Sequence, residues 1–150
     1  MGGSGKSSLS IVQALAMATG KPVLGEEVTR PRNVLLINLE DNRAAMDKRI
    51  FAAMKHYSLK QADLGGRLII KAKGEIKIKI AKADGRGVKR TEEQIKSHID
   101  VALANKIDVV SIDPFVKTHG VNENDNNQIQ AVVECYDDIA EGANCAVHLW

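Results

Sequence analysis

The run Gly2-Gly3-Ser4-Gly5-Lys6-Ser7-Ser8 passes directly into an apolar stretch, Leu9 to Ala18. That juxtaposition leaves few folds open. Glycines at 2, 3 and 5 let backbone N–H groups turn inward around an anion, a concavity that side chains would obstruct. A helix beginning there adds the positive end of its dipole. Gly5-Lys6-Ser7 form the second half of the phosphate-loop pattern G-x-x-x-x-G-K-[ST], whose first glycine would fall one place ahead of Met1. In that pattern Lys6 reaches the β- and γ-phosphates of a nucleotide, and the Ser7 hydroxyl ligates Mg²⁺. Gly2, Gly3, Ser4, Gly5, Lys6, Ser7 and Ser8 are therefore the candidate nucleotide-binding residues. The plain alternative is a flexible glycine-serine start, and the apolar helix that follows weighs against it. The same segment imitates a signal peptide, with Lys6, an apolar run and Ala16-Met17-Ala18, but Ser10 and Gln13 interrupt the run. A phosphate-loop helix accounts for all of these residues, so a cytoplasmic protein is expected.

Downstream, apolar runs alternate with amphipathic segments, the pattern of an α/β domain with a mainly parallel sheet. The first helix spans Lys6 to Thr19, with Gly20 placed to end it and Pro22 beyond. Val34 to Leu39 reads as a strand covered on both faces. A helix with Met46, Ile50, Ala53, Met54 and Tyr57 on one side follows, then a short strand from Arg67 to Lys71. Ile76-Lys77-Ile78-Lys79-Ile80 alternates strictly, which predicts a half-exposed strand near a sheet edge. Asp84 to Gly87 reads as a turn or loop. Thr91-Glu92-Glu93-Gln94 predicts a capping box opening a helix with Ile95, Ile99, Ala102 and Leu103 buried. Val109 to Asp113 is a second buried strand ended by Pro114. A polar loop, His119 to Asn127, leads into a helix with Ile129, Val132, Val133, Tyr136 and Ala140 on one side, and Cys145 to Leu149 is a last strand. With no internal repeat and no linker, residues 1–150 are expected to form one domain. At 44% hydrophobic over 150 residues the chain can bury a sizeable core. Its net charge of +2 says nothing about a nucleic-acid partner, and 3% aromatic residues argue against gripping single strands mainly by stacking. Cys135 and Cys145, without a CxxC pair, are expected to be buried thiols.

Two acids stand where a nucleotide site needs them. Asp113 closes the strand Val109 to Ile112, where a carboxylate beside a phosphate loop can hold Mg²⁺ through its water shell. Capping of the following loop is the structural alternative for Asp113. The next residue is Pro114 rather than Glu, so a water-activating base must come from elsewhere. Glu40 ends the other buried strand and points to the same sheet edge, and its carboxylate is the candidate base, with Lys6 the other candidate catalytic residue. Simple solvation at a strand end is the structural alternative for Glu40, and Asp41 could serve there alone.

Together GGSGKSSLS (2–10), GEEVTRPRNVLLINLED (25–41), SIDPF (111–115), HGVNENDN (119–126) and ANCAVHLW (143–150) give the chain a resemblance. It resembles the RecA-like ATPases of the plasmid RepA hexameric replicative helicase branch, grouped with AAA-type ATPases, over essentially its whole length. The resemblance implies a RecA-type core, a homo-hexameric ring, and ATP hydrolysis at subunit interfaces that drives movement along single-stranded DNA. It assigns Lys6 and Ser7 to phosphate and Mg²⁺, Glu40 to water activation and Asp113 to the metal. It also implies that the chain is truncated at both ends, lacking the strand before the phosphate loop, an arginine finger and a DNA-contacting loop. A recombinase-like or regulatory DNA-remodelling ATPase is the first rival. A truncated, inactive nucleotide-binding fragment is the second.

Weaker features remain. Lys71, Lys73, Lys77, Lys79 and Lys82 form a cationic face that reads first as a protected edge strand and second as a track for a phosphate backbone. Asn122 to Asn127 is either a polar loop ending in a helix cap or a segment sensing nucleotide or DNA. His56 and His98 are expected to be solvated or structurally satisfied, and His148 is given no catalytic role.

Overall fold

The computed structural model describes residues 5–150, so Gly2, Gly3 and Ser4 lie outside the described residues. Helix α1 runs Lys6–Thr19, and its apolar positions Ile11, Ala14, Leu15 and Ala18 recur at helical spacing and are all buried. It stops where the sequence predicts. Gly20 adopts φ 71 and returns its N–H to Ala16 O at 2.9 Å. A Cβ there would meet Pro31 Cγ at 2.9 Å, so both conformation and space demand glycine.

Strand β1 (Val34–Asn38) is buried at every residue, as expected of an apolar run with both faces covered. Helix α2 (Arg43–His56) follows, capped by Asn42, whose side chain accepts from Ala45 N–H. A short helix α3 (Gln61–Leu64) then leads to β2 (Leu68–Lys71). Later come α4 (Glu92–Ala104), β5 (Val109–Asp113), α5 (Asn126–Ala143) and β7 (Ala146–Leu149). Between them lie β3 (Ala81–Asp84), β4 (Gly87–Arg90) and the two-residue β6 (His119–Gly120). The main sheet has the order β2-β1-β5-β7, and all its pairings are parallel. Alternation along β1 sorts its side chains between two cores. Val34 and Leu36 pack with Ile11, Leu15, Met46 and Ile50 of α1 and α2, whereas Leu35 and Ile37 pack with Ile112, Ile95 and Tyr136 on the α4–α5 side. Each such side chain removed from water contributes about 1.5–3 kcal/mol, which fixes the register and hence the alignment of the strand ends.

Several expectations are corrected. Ile76 to Ile80 alternates in burial, with Ile78 and Ile80 buried and Lys77 and Lys79 exposed, but it is not a strand. Its backbone groups are satisfied outside a ladder: Lys79 N–H donates to Gln94 Oε1 at 2.8 Å and Ile80 N–H to Thr118 O at 2.8 Å. The ladder begins one residue later, where β3 pairs antiparallel with β4 and parallel with β6. The turn or loop expected at Asp84 to Gly87 is present as the tip of the β3–β4 hairpin, with Asp84 Oδ1 accepting from Arg86 N–H. The capping box at Thr91 does not form. Thr91 occupies the N-cap but its hydroxyl caps nothing: Gln94 N–H donates to Thr91 O, Thr91 N–H to Ile80 O, and the Gln94 side chain accepts from Lys79 N–H instead of reaching back. Leu103, expected inside, is 53% exposed, since it lies at the edge of the stripe set by Ile95 and Ala102. The buried side of α5 is carried by Val132, Cys135, Tyr136, Ile139 and Ala143, so Ile129, Val133 and Ala140 flank it. The polar loop after Thr118 contains β6, and its Asp125 caps α5 by accepting from Asn127 and Gln128 N–H. Cys135 is buried while Cys145 is only half-buried, and burial pushes both thiols above their usual pKa.

Candidate functional site at the strand tips

β1 and β5 are neighbours in register, with Asn38 opposite Asp113. Leu39 N–H donates to Asp113 O at 2.8 Å, so the two strand tips are tied together beyond the last pair. Asn38 is 1% exposed, and its Oδ1 accepts from Glu40 N–H (2.9 Å) and Asp41 N–H (2.7 Å). A short amide side chain that caps its own following backbone makes a turn. That turn carries Glu40 out of the sheet, with its side chain half-exposed. Glu40 Oε1 lies 3.4 Å from Lys117 Nζ. Lys117 sits in a 3₁₀ turn (Phe115–Thr118) that follows Pro114, itself joined to Asp113 by a cis peptide.

Asp113 is buried, and its Oδ2 has no hydrogen-bond partner among the described residues. A buried carboxylate oxygen without a partner is costly. Such an oxygen fits a cation or its bound water, the role the sequence suggests for Asp113. Among the described residues no cluster of three or more His, Cys, Asp and Glu is placed to hold a metal ion. A phosphate-loop site needs none, because it draws on one hydroxyl, one carboxylate and the phosphates themselves.

On the other side of the turn, Asp41 pairs with Arg49 of α2. Arg49 Nη2 also donates to Ser8 Oγ at 3.3 Å. One guanidinium thus joins the first turn of α1 to the tip of β1. Gly5 precedes α1 with φ 75, and its carbonyl accepts from Leu9 N–H at 2.9 Å, so the helix opens at Lys6 with its first N–H groups unpaired among the described residues. Lys6 is exposed, Ser7 half-buried and Ser8 exposed. Trp150 completes the sheet edge: its indole N–H donates to Ser111 Oγ at 3.0 Å, and its carbonyl accepts from Phe115 N–H.

Asn38, Arg49 and Lys117 were not singled out as site residues from the sequence. The signal for Asn38 is an amide closing an otherwise apolar run just before two acids. Arg49 and Lys117 carry no local signal, because their partners are set by how α2 and the 3₁₀ turn pack. The five lysines are not one free cationic face, since Lys79 Nζ donates to the carbonyls of Lys117 and His119. His148 stacks near Trp150, with ring centroids 4.4 Å apart. His119 is buried, and its Nδ1 accepts weakly from Val121 N–H. Desolvation holds its imidazole below the usual pKa.

A parallel sheet between helices, with a glycine-led helix start beside acid-bearing strand tips, defines an α/β fold of the RecA-like P-loop NTPase type. The chain belongs to the AAA domain family, which it matches over residues 1–150. Membership places it among the nucleotide-binding P-loop ATPases. Comparison with curated proteins returned no match. Among the described residues no helix is long and apolar enough to cross a membrane.

Proposed function

We propose that residues 1–150 form one Mg²⁺-dependent ATP-binding and ATP-hydrolysing domain, with its site at the start of α1 and the tips of β1 and β5. The observation that carries this reading is the tie between the two tips. It sets the orphaned carboxylate oxygen of Asp113 beside the turn from which Asn38 projects Glu40. Gly2, Gly3, Ser4 and Gly5 wrap the phosphates, Lys6 neutralises the charge on the outer ones, and the Ser7 hydroxyl and Asp113 hold the metal. Ser8 is kept in place by Arg49. When bound, Mg²⁺ would screen phosphate charge and orient the terminal phosphoryl group.

Glu40 is the general base of this proposal. Its carboxylate accepts the proton of a water aligned with the terminal phosphate, which requires a half-exposed carboxylate free to turn. The ammonium of Lys117, 3.4 Å from Glu40 Oε1, helps to aim that carboxylate, at the modest strength of an exposed pair.

The finer reading is a RepA-like replicative DNA helicase of the cytoplasm, acting as a homo-hexamer on single-stranded DNA. It is supported by LINLED, SIDPF and HGVNENDN in one chain, with the first two forming the neighbouring strands β1 and β5. A recombinase-like ATPase would share every feature of the site.

The test of the base is Glu40→Gln. ATP should bind with unchanged affinity while turnover falls by about a hundredfold or more, the usual weight of a positioned acid or base. Turnover near that of the parent would remove Glu40 from the role.

A further inference from the structure

The face of the main sheet opposite α1 is covered unevenly. α4 is drawn against α5 at Gly142, where an added Cβ would lie 2.7 Å from Ile99 Cδ1. Beneath α4 lies a cavity of about 430 Å³, lined by residues of α4, β1, β2, β5 and 75–77, and also by Tyr136 and Ile139 of α5 and Val147 of β7. The floor is apolar, made by Leu35, Ile69, Val110 and Ile112. Val101 of α4, 44% exposed, lines it as well. An apolar slot of this size with a few polar groups at its rim matches the usual form of a small-molecule site.

The charges at the rim differ in availability. Glu75 is bonded through both carboxylate oxygens to the Arg43 guanidinium, and Oε2 also accepts from Ala72 N–H. These bonds hold the Glu75 carboxyl down at about 2; Arg43 balances most of its charge within the fold, and Lys71 adds a smaller Coulombic pull. Lys71 and Lys77 line the same cavity, and neither enters an ion pair with a described residue. His98 also lines it. Its Nδ1 meets Gln94 O at 2.6 Å, and its buried Nε2 has no partner among the described residues. An unpartnered buried nitrogen costs stability until a polar atom reaches it.

We propose that this cavity is a second binding site, separate from the phosphate loop, for a small carboxylic acid with an apolar body. The body covers the floor of β1, β2 and β5, and the carboxylate faces Lys71 and Lys77. Burial of the apolar body supplies affinity, and the two ammonium groups supply the preference for an anion.

The experiment is isothermal titration of the chain with 4-phenylbutyrate and with 4-phenyl-1-butanol, which differ in the charged group. The acid should bind saturably at one site, about tenfold more tightly than the alcohol, the weight of one charge-assisted contact. Lys71→Ala with Lys77→Ala should bring the two ligands to equal affinity. Ser97→Trp, at an exposed position of α4 on the cavity wall, should fill the slot and abolish binding of both ligands with helix content unchanged. Should Ser97→Trp lose its helix, Val101→Trp carries the same test. Saturating Mg-ATP should leave the acid bound. No binding of the acid, equal affinity for acid and alcohol in the parent, binding that survives the filled cavity, or displacement by ATP would each overturn the proposal. A slot that instead holds a segment of another protein chain would bind neither small molecule, and so falls under the first of these results.

Discussion

Asn38 decides where the strand-end acids go. It is buried, and it supplies the acceptor for two consecutive, partly buried backbone N–H groups, those of Glu40 and Asp41. Removing that acceptor strands both donors, whereas deleting an exposed pair such as Lys117 with Glu40 removes little. Asn38→Ala should therefore lower stability by about 1–3 kcal/mol, measured by urea denaturation. If the turn positions Glu40, turnover should fall more than ATP affinity. A stability change below about 0.5 kcal/mol would mean that water replaces the amide at no cost and that the turn does not depend on Asn38.

At the scale of elements, caps separate what a short motif announces from what tertiary packing permits. Thr91-x-x-Gln94 has the letters of a capping box, yet Gln94 serves the backbone of Lys79 and the Thr91 hydroxyl caps nothing. Asp125-x-x-Gln128 carries the same spacing, and there Asp125 does cap α5, through two backbone N–H groups and the Gln128 side chain. Thr91→Ala should accordingly cost no more than about 0.5 kcal/mol, while Asp125→Ala should cost about 1 kcal/mol or more. Thermal unfolding of the two variants side by side checks this, and the reverse order would contradict the cap assignments. The same contrast explains the extended segment before β3. Alternation correctly gave the faces of Ile78 and Ile80, because burial follows the period of the backbone. It could not give the backbone hydrogen-bond partners of Lys79 and Ile80, which are Gln94 and Thr118, on another element or far along the chain.

At the scale of the whole molecule, the core strands β1 and β5 were legible because an unbroken apolar run has few ways to satisfy both its faces except inside a parallel sheet. The helix α1 was legible from its periodicity and from Gly20. Glu40 and Asp113 were legible as strand-end acids, and the sheet order makes their strands neighbours. Arg49, which links Ser8 to Asp41, and Lys117, which meets Glu40, were hidden because each depends on the docking of a second element. The cavity beneath α4 was equally hidden, since it arises from helix spacing rather than from any run of residues. The central claim is that the start of α1 binds the phosphates of a nucleotide, and a ligand that binds only the native state must raise its melting temperature. The most direct measurement is the melting temperature of this chain with and without Mg-ATP, beside that of Lys6→Ala. The account predicts a saturable rise for the parent and none for Lys6→Ala. No rise in the parent, or an equal rise in both, would contradict it.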